Sequence, residues 1–174
     1  MKRILSLVLV AIMLFAITAC NSNTPEKSLE KMLNALKKGD LETLVALQGN
    51  EGAANELSDE EKDLYKAMYG NLKFKIGKAE IEDEKATVEI EVTMIDMSKI
   101  MTKTMTEAMK GNVTDVNAYM EDLIKDKNAE TTTLRAKVPM ELKDGKWVID
   151  QDGDTTDFLN AITGGMMSSL GGLG

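Results

Sequence analysis

One cysteine, thirteen methionines and no histidine bound the chemistry this chain can carry. Without histidine, the commonest side-chain acid–base group and the commonest transition-metal ligand are both missing. The soft donors are thioethers: Met94, Met97, Met101, Met105 and Met109 recur at three- and four-residue spacing, and thioethers bind Cu(I). A four-residue step drifts only about 40° around a helix, so Met97 to Met109 share one slowly spiralling face. That is also the face where an amphipathic helix places its core, and unbranched methionine fills irregular gaps. Core packing is therefore the first reading, a greasy ligand groove including Met101 and Met105 the second, and a metal site the third.

The oxygen donors are equally open to a plain reading. Asp150, Asp152 and Asp154 alternate as in a calcium loop, but the sixth position is Thr155 instead of glycine and the twelfth is Ala161 instead of glutamate. A solvated turn is expected there, and no metal. Glu89 and Glu91 share the polar side of an alternating run with Thr87 and Thr93, and Lys73, Lys75 and Lys78 read likewise as a wet sheet face. Among the seven aromatic residues, Tyr65 and Trp147 combine an apolar body with a polar handle, as a ligand pocket requires. The alternative for Trp147 is a core anchor. Nothing matches a phosphate-cradling glycine loop, a serine nucleophile elbow or a zinc site. The expectation is a chain with no catalytic residues and no cofactor, and so not an enzyme.

Cys20 has a different context. Lys2 and Arg3 precede an apolar run over residues 4–17 whose only polar interruption is Ser6, which is the layout of a signal peptide. The run falls short of the about 20 residues that a permanent membrane span requires. It ends in Ile17-Thr18-Ala19-Cys20, which resembles the bacterial lipobox. That resemblance implies cleavage before Cys20 and a diacylglyceryl thioether on it, placing the chain on the outer, extracytoplasmic face of the cell membrane. At about 0.8 kcal/mol per buried CH₂, two acyl chains anchor stably where one is marginal.

The mature chain, residues 20–174, fits one domain. Of 21 basic residues, Lys2 and Arg3 leave with the signal, and against 29 acidic ones the remainder carries −10. Nucleic acid is excluded as a partner by that charge. Stability has to come from a core, since the sole thiol is assigned to lipid.

The elements that must position these residues start at Thr24-Pro25, a cap followed by proline at the first helical position, with Leu29, Met32, Leu33 and Leu36 on one face and Gly39 as a stop. Asp40 caps a second short helix carrying Leu41, Leu44 and Val45, followed by a small-residue loop over 49–54. Ser58 and Glu61 form a capping box for a third helix that bears Leu64, Tyr65 and Met68 and ends at Gly70. The period then changes to two. Leu72, Phe74 and Ile76 form one strand and Ala86 to Met94 a second, with a hairpin turn over 82–85. Two helices interrupt, one with the methionine face and one with Val116, Tyr119, Met120, Leu123 and Ile124. Alternation resumes from Thr132 to Leu142, Asp144-Gly145 makes a second hairpin with residues 146–149, and Pro139 suggests a sheet edge or a bulge. Residues 164–174 form a glycine-rich tail.

This pattern predicts an α+β domain over residues 25–163, with N-terminal helices on one face of a curved antiparallel sheet and a helical insertion between two hairpins. The lipobox, Leu36-Lys-Lys-Gly-Asp40, Val92-Thr-Met-Ile-Asp-Met-Ser-Lys99 and Lys143-Asp-Gly-Lys-Trp-Val-Ile-Asp150 resemble small lipoproteins of Gram-positive bacteria. Those belong to a domain-of-unknown-function family in the nuclear-transport-factor-2-like, or cystatin-like, superfamily. The resemblance spans roughly residues 25–164 and implies a cone-shaped fold with a pocket between sheet and helices. It implies no chemistry. The expected role is a membrane-tethered, non-enzymatic module that binds a small apolar ligand or an envelope protein. Alternatives are a structural accessory protein of the envelope and, third, an isomerase- or lyase-like enzyme.

Overall fold

The computed structural model describes residues 23–40, 43 and 58–171. The signal segment, Cys20, the stripe of the second short helix and the loop over 49–54 lie outside the described residues. Helix α1 (Pro25–Lys38) begins where Thr24 Oγ1 accepts from Lys27 N at 3.3 Å, and proline occupies its first turn. It stops at Gly39, whose φ of 71° suits a residue without Cβ and lets the Gly39 and Asp40 amides reach back to Leu36 and Ala35. Asp40 Oδ1 accepts from Thr43 N at 3.0 Å, the geometry expected of a cap. Leu29 and Leu33 are fully buried, each worth about 1.5–3 kcal/mol of apolar burial. Helix α2 (Asp59–Tyr69) carries both halves of the Ser58–Glu61 capping box.

The sheet is antiparallel with order β1-β2-β3-β4: β1 (Lys73–Glu82), β2 (Lys85–Ile95), β3 (Thr131–Lys143) and β4 (Lys146–Ile149). Ala86, Val88, Ile90, Val92 and Met94 of β2 and Ala136, Val138 and Met140 of β3 face the helices and are buried. Strand β1 runs past Ile76, and its register with β2 shifts between Ile76 and Ala79. Such an irregularity frees a backbone donor, and Glu26 Oε1 of α1 accepts from Ala79 N at 2.9 Å there.

Pro139 sits inside β3 at no cost to the ladder. Its carbonyl accepts from Asp150 N at 3.0 Å, so its nitrogen also points toward β4, which ends at Ile149. The missing N–H therefore falls at a local edge.

Between the hairpins stand α3 (Met97–Met109), capped by Asp96 through Lys99 N at 3.0 Å, and α4 (Val116–Lys125), capped by Asp115. Met97, Ile100 and Thr104 form the buried face of α3, while Met105 is 44% and Met109 87% exposed. The methionine face thus leaves the core after its first turns. Helices α5 (Thr156–Ile162) and α6 (Met166–Gly171) complete the chain, with α5 packed along β3 and α6 against α3. The glycine-rich tail is accordingly helical over 166–171. Its approach depends on Gly164, with φ 61°, where a Cβ would lie 2.2 Å from the Ile95 carbonyl oxygen. Six helices and a four-stranded antiparallel sheet among the described residues, with the helical pair between the hairpins, make this the α+β class expected.

Candidate functional site

Helices α1 and α5 do not close on each other. Between them, over the end of β4, runs a groove of about 360 Å³ walled by Met32, Leu33 and Leu36 of α1, Ile149 of β4, and Phe158, Leu159 and Ile162 of α5, with Gln151 and Thr155 at the polar margin. The volume lies within the roughly 300–1,000 Å³ of small-molecule sites, and the lining is the apolar majority with few polar groups that such sites show. Phe158 is buried, Leu36 and Ile162 half-buried and Leu159 is 41% exposed, so the groove grades from core to solvent.

Two anchors hold its walls apart. The Glu26–Ala79 hydrogen bond ties the first turn of α1 to β1. Asp150, buried at the β4–α5 turn, takes the Lys85 ammonium at 2.5 Å and the Asp152 amide at 3.1 Å, and Gly153 N donates to its carbonyl at 3.2 Å. The Lys85 ammonium holds the Asp150 carboxyl below the ordinary carboxylate range, against the upward push of burial. Asp154 Oδ1 then accepts from Thr156 N at 3.0 Å at the start of α5. The alternating aspartates are thus a structured turn that aims α5, with its first member paired inside the protein instead of solvated. Among the described residues no three Asp, Glu, His or Cys groups converge as metal ligands.

None of the residues singled out from the sequence as pocket candidates lines this groove. Trp147 is buried in the core, paired in register with Leu142. Met101 is half-buried on α3 and Met105 lies one turn further out, exposed. Tyr65, on α2, lies beside Gly39 and tilts against Tyr69 with ring centroids 4.7 Å apart. Its buried hydroxyl finds no partner among the described residues, and burial, with Tyr69 adding to it, pushes its pKa up to about 12. Tyr65, Met101, Met105 and Trp147 thus sit on α2, α3 and β4, away from the lining of this groove. Cys20 lies outside the described residues.

The groove residues missed in the sequence are those of α5. Phe158, Leu159 and Ile162 fall at helical spacing after Asp154, a weak signal over a helix of seven residues.

The opposite face of the sheet is charged. Glu91 accepts from Lys75 at 2.6 Å and from Arg135 at 3.1 and 3.2 Å, and these two cations, Lys75 first, hold its carboxyl below the usual range. Glu89 pairs with Lys137 at 3.7 Å. Together with Gly77 and Asp157 these side chains line a shallow depression of about 570 Å³. Glu89 and Glu91 pair with their cations across strands, as expected of a wet face.

No protein-family model and no curated protein matches the chain. A solved structure described as an M. tuberculosis LEH-like epoxide hydrolase matches with 15% identity and a TM-score of 0.35, covering 88% of this chain and 97% of that one. That finding overturns the expectation of a non-enzymatic chain: the matched protein bears an enzyme's name, and carboxylates and tyrosines serve as acids and bases where histidine and thiol are missing. At this similarity the match assigns no reaction, substrate or residue to this chain.

Proposed function

We propose that this chain is an exported lipoprotein, anchored through Cys20, whose α+β domain holds a small apolar ligand in the groove between α1 and α5. The observation that carries the reading is the groove itself: seven apolar side chains around about 360 Å³, open to solvent and margined by Gln151 and Thr155. A monomer gains nothing by leaving such a surface wet, because about 25 cal/mol is forfeited for each Å² of apolar surface left exposed. The signal layout and the Ile17-Thr-Ala-Cys20 motif support the address.

A fluorescent fatty-acid probe titrated into the protein tests the site. Saturable binding at one probe per chain is expected, with affinity reduced at least about tenfold by Leu36→Trp, which fills the groove from its half-buried wall. Binding that Leu36→Trp leaves untouched counts against this groove. A second reading, docking of an envelope protein, is favoured by the exposure of Met105, Met109 and Val116 around the end of α3 and the start of α4. Crosslinking from position 109 in intact cells is its test, and a chain that migrates there without any crosslinked partner counts against it.

A further inference from the structure

We infer that the end of the sheet bearing the two hairpin turns, residues 82–85 and 143–146, is the surface apposed to the lipid bilayer, its occupant being the headgroup layer of the anchoring membrane. The inference rests on the proposed lipidation of Cys20 and adds to it a face and an orientation. Its first support is the tether. Asn23 Nδ2 donates to the Gly145 carbonyl at 2.5 Å, fixing the start of the described chain on the β3–β4 turn. Three residue steps from Cys20 to Asn23 span at most about 11 Å, so the turn cannot stand much farther than that from the lipid-bearing residue. The β1–β2 turn lies at the same end. Leu142 N donates to the Glu84 carbonyl at 2.7 Å, and Lys85 of β2 stands in register with Glu141 of β3. The far end of the sheet, marked by Lys73 at the start of β1, is then about 30 Å away along the strand.

An exposed apolar side chain is the second support: Ile81, 53% exposed one residue behind the first turn, stands where headgroups would meet it. The two turns carry Lys85, Lys143 and Lys146 against Glu82, Asp83, Glu84 and Asp144, and Asp150 and Glu141 stand beside Lys85. Within a Debye length of about 10 Å this end is therefore acidic, and the tether, not charge, carries the orientation. One consequence concerns the groove. Ile149 lies three strand residues beyond Lys146, about 10 Å, and Leu36 eleven helix residues beyond Pro25, about 17 Å. Its mouth is thereby held within about two nanometres of the hairpin end that meets the bilayer.

The test uses the full-length lipidated protein in vesicles of phosphatidylcholine and phosphatidylglycerol carrying a headgroup nitroxide. A thioether-linked Cys20 leaves no free thiol, so single cysteines introduced as Asp144→Cys and Lys73→Cys each take one fluorophore. Quenching at position 144 is expected to exceed that at 73 on the order of fivefold, from separations of about 11 and more than about 30 Å. Inserting about twelve Gly and Ser residues after Ser22 is expected to erase the contrast, because a flexible linker of that length lets the domain tumble. Equal quenching at the two positions, or stronger quenching at 73, in a chain whose intact mass carries the diacylglyceryl group overturns the orientation alone. A mass that shows an unmodified Cys20 overturns the lipidation reading and the orientation with it.

Discussion

Leu36 stands half-buried on α1, with its side chain on the groove wall instead of in the core behind it. Replacing it by tryptophan therefore tests binding without emptying the core, and Tm is expected to move by only a few degrees, as for overpacking of about 1 kcal/mol. Gly164 offers the opposite case. A Cβ at that position meets the Ile95 carbonyl oxygen at 2.2 Å, on a backbone with φ 61°. Gly164→Ala is expected to cost about 2 kcal/mol or more, read from the shift of the urea midpoint; a midpoint equal to the parent's contradicts this close approach. Asp150 gives a pH prediction. Its folded-state pKa is depressed by Lys85 below the unfolded value of about 3.9, so its stabilisation is complete above that value and is lost as pH falls through the folded pKa. Lys85→Met is expected to lower stability at neutral pH and to flatten the fall in unfolding free energy between about pH 5 and pH 2. An acid limb identical to the parent's would show that the buried carboxylate has other support.

At the scale of elements, α5 determines whether there is a groove. It is short and contributes one buried aromatic residue, Phe158, to the core. Phe158→Ala is expected to cost about 3–5 kcal/mol and to abolish probe binding together with it; a near-UV spectrum unchanged from the parent, with binding retained, would place the ligand elsewhere. Most elements were legible in the sequence because their signals are local. The Thr24-Pro25 entry, the Ser58–Glu61 box and the alternation from Ala86 to Met94 each describe contacts made within a few residues, and the structure carries all three. The candidate site was not legible for the same reason. Its walls come from residues 32–36, 149 and 155–162, brought together only by the sheet between them, and no spacing connects those segments. The methionine face shows a subtler limit: periodicity identified a shared helical face, but where that face leaves the core is decided by neighbouring elements. Trp147 and Tyr65 were chosen for chemical type, and packing directed each away from the groove.

For the whole molecule, the order β1-β2-β3-β4 with helices packed over one face leaves two unlike surfaces, an apolar groove at the helical side and a ladder of ion pairs on the open side of the sheet. Surface pairs of this kind contribute little to stability, because water and salt screen them and two long side chains must be held in place. The sheet's open face is therefore expected to tolerate Glu91→Gln with small change in Tm. The groove is a different matter, since a ligand that binds only the folded state stabilises it by RT ln(1 + c/Kd), with c its free concentration. The decisive measurement is the native mass of the protein isolated from an extract of its own cells, taken before and after denaturation. The expected result is an added mass that leaves on unfolding and is absent from Leu36→Trp. A bare chain in both states, from extracts where the protein is folded, would contradict a groove that carries a ligand.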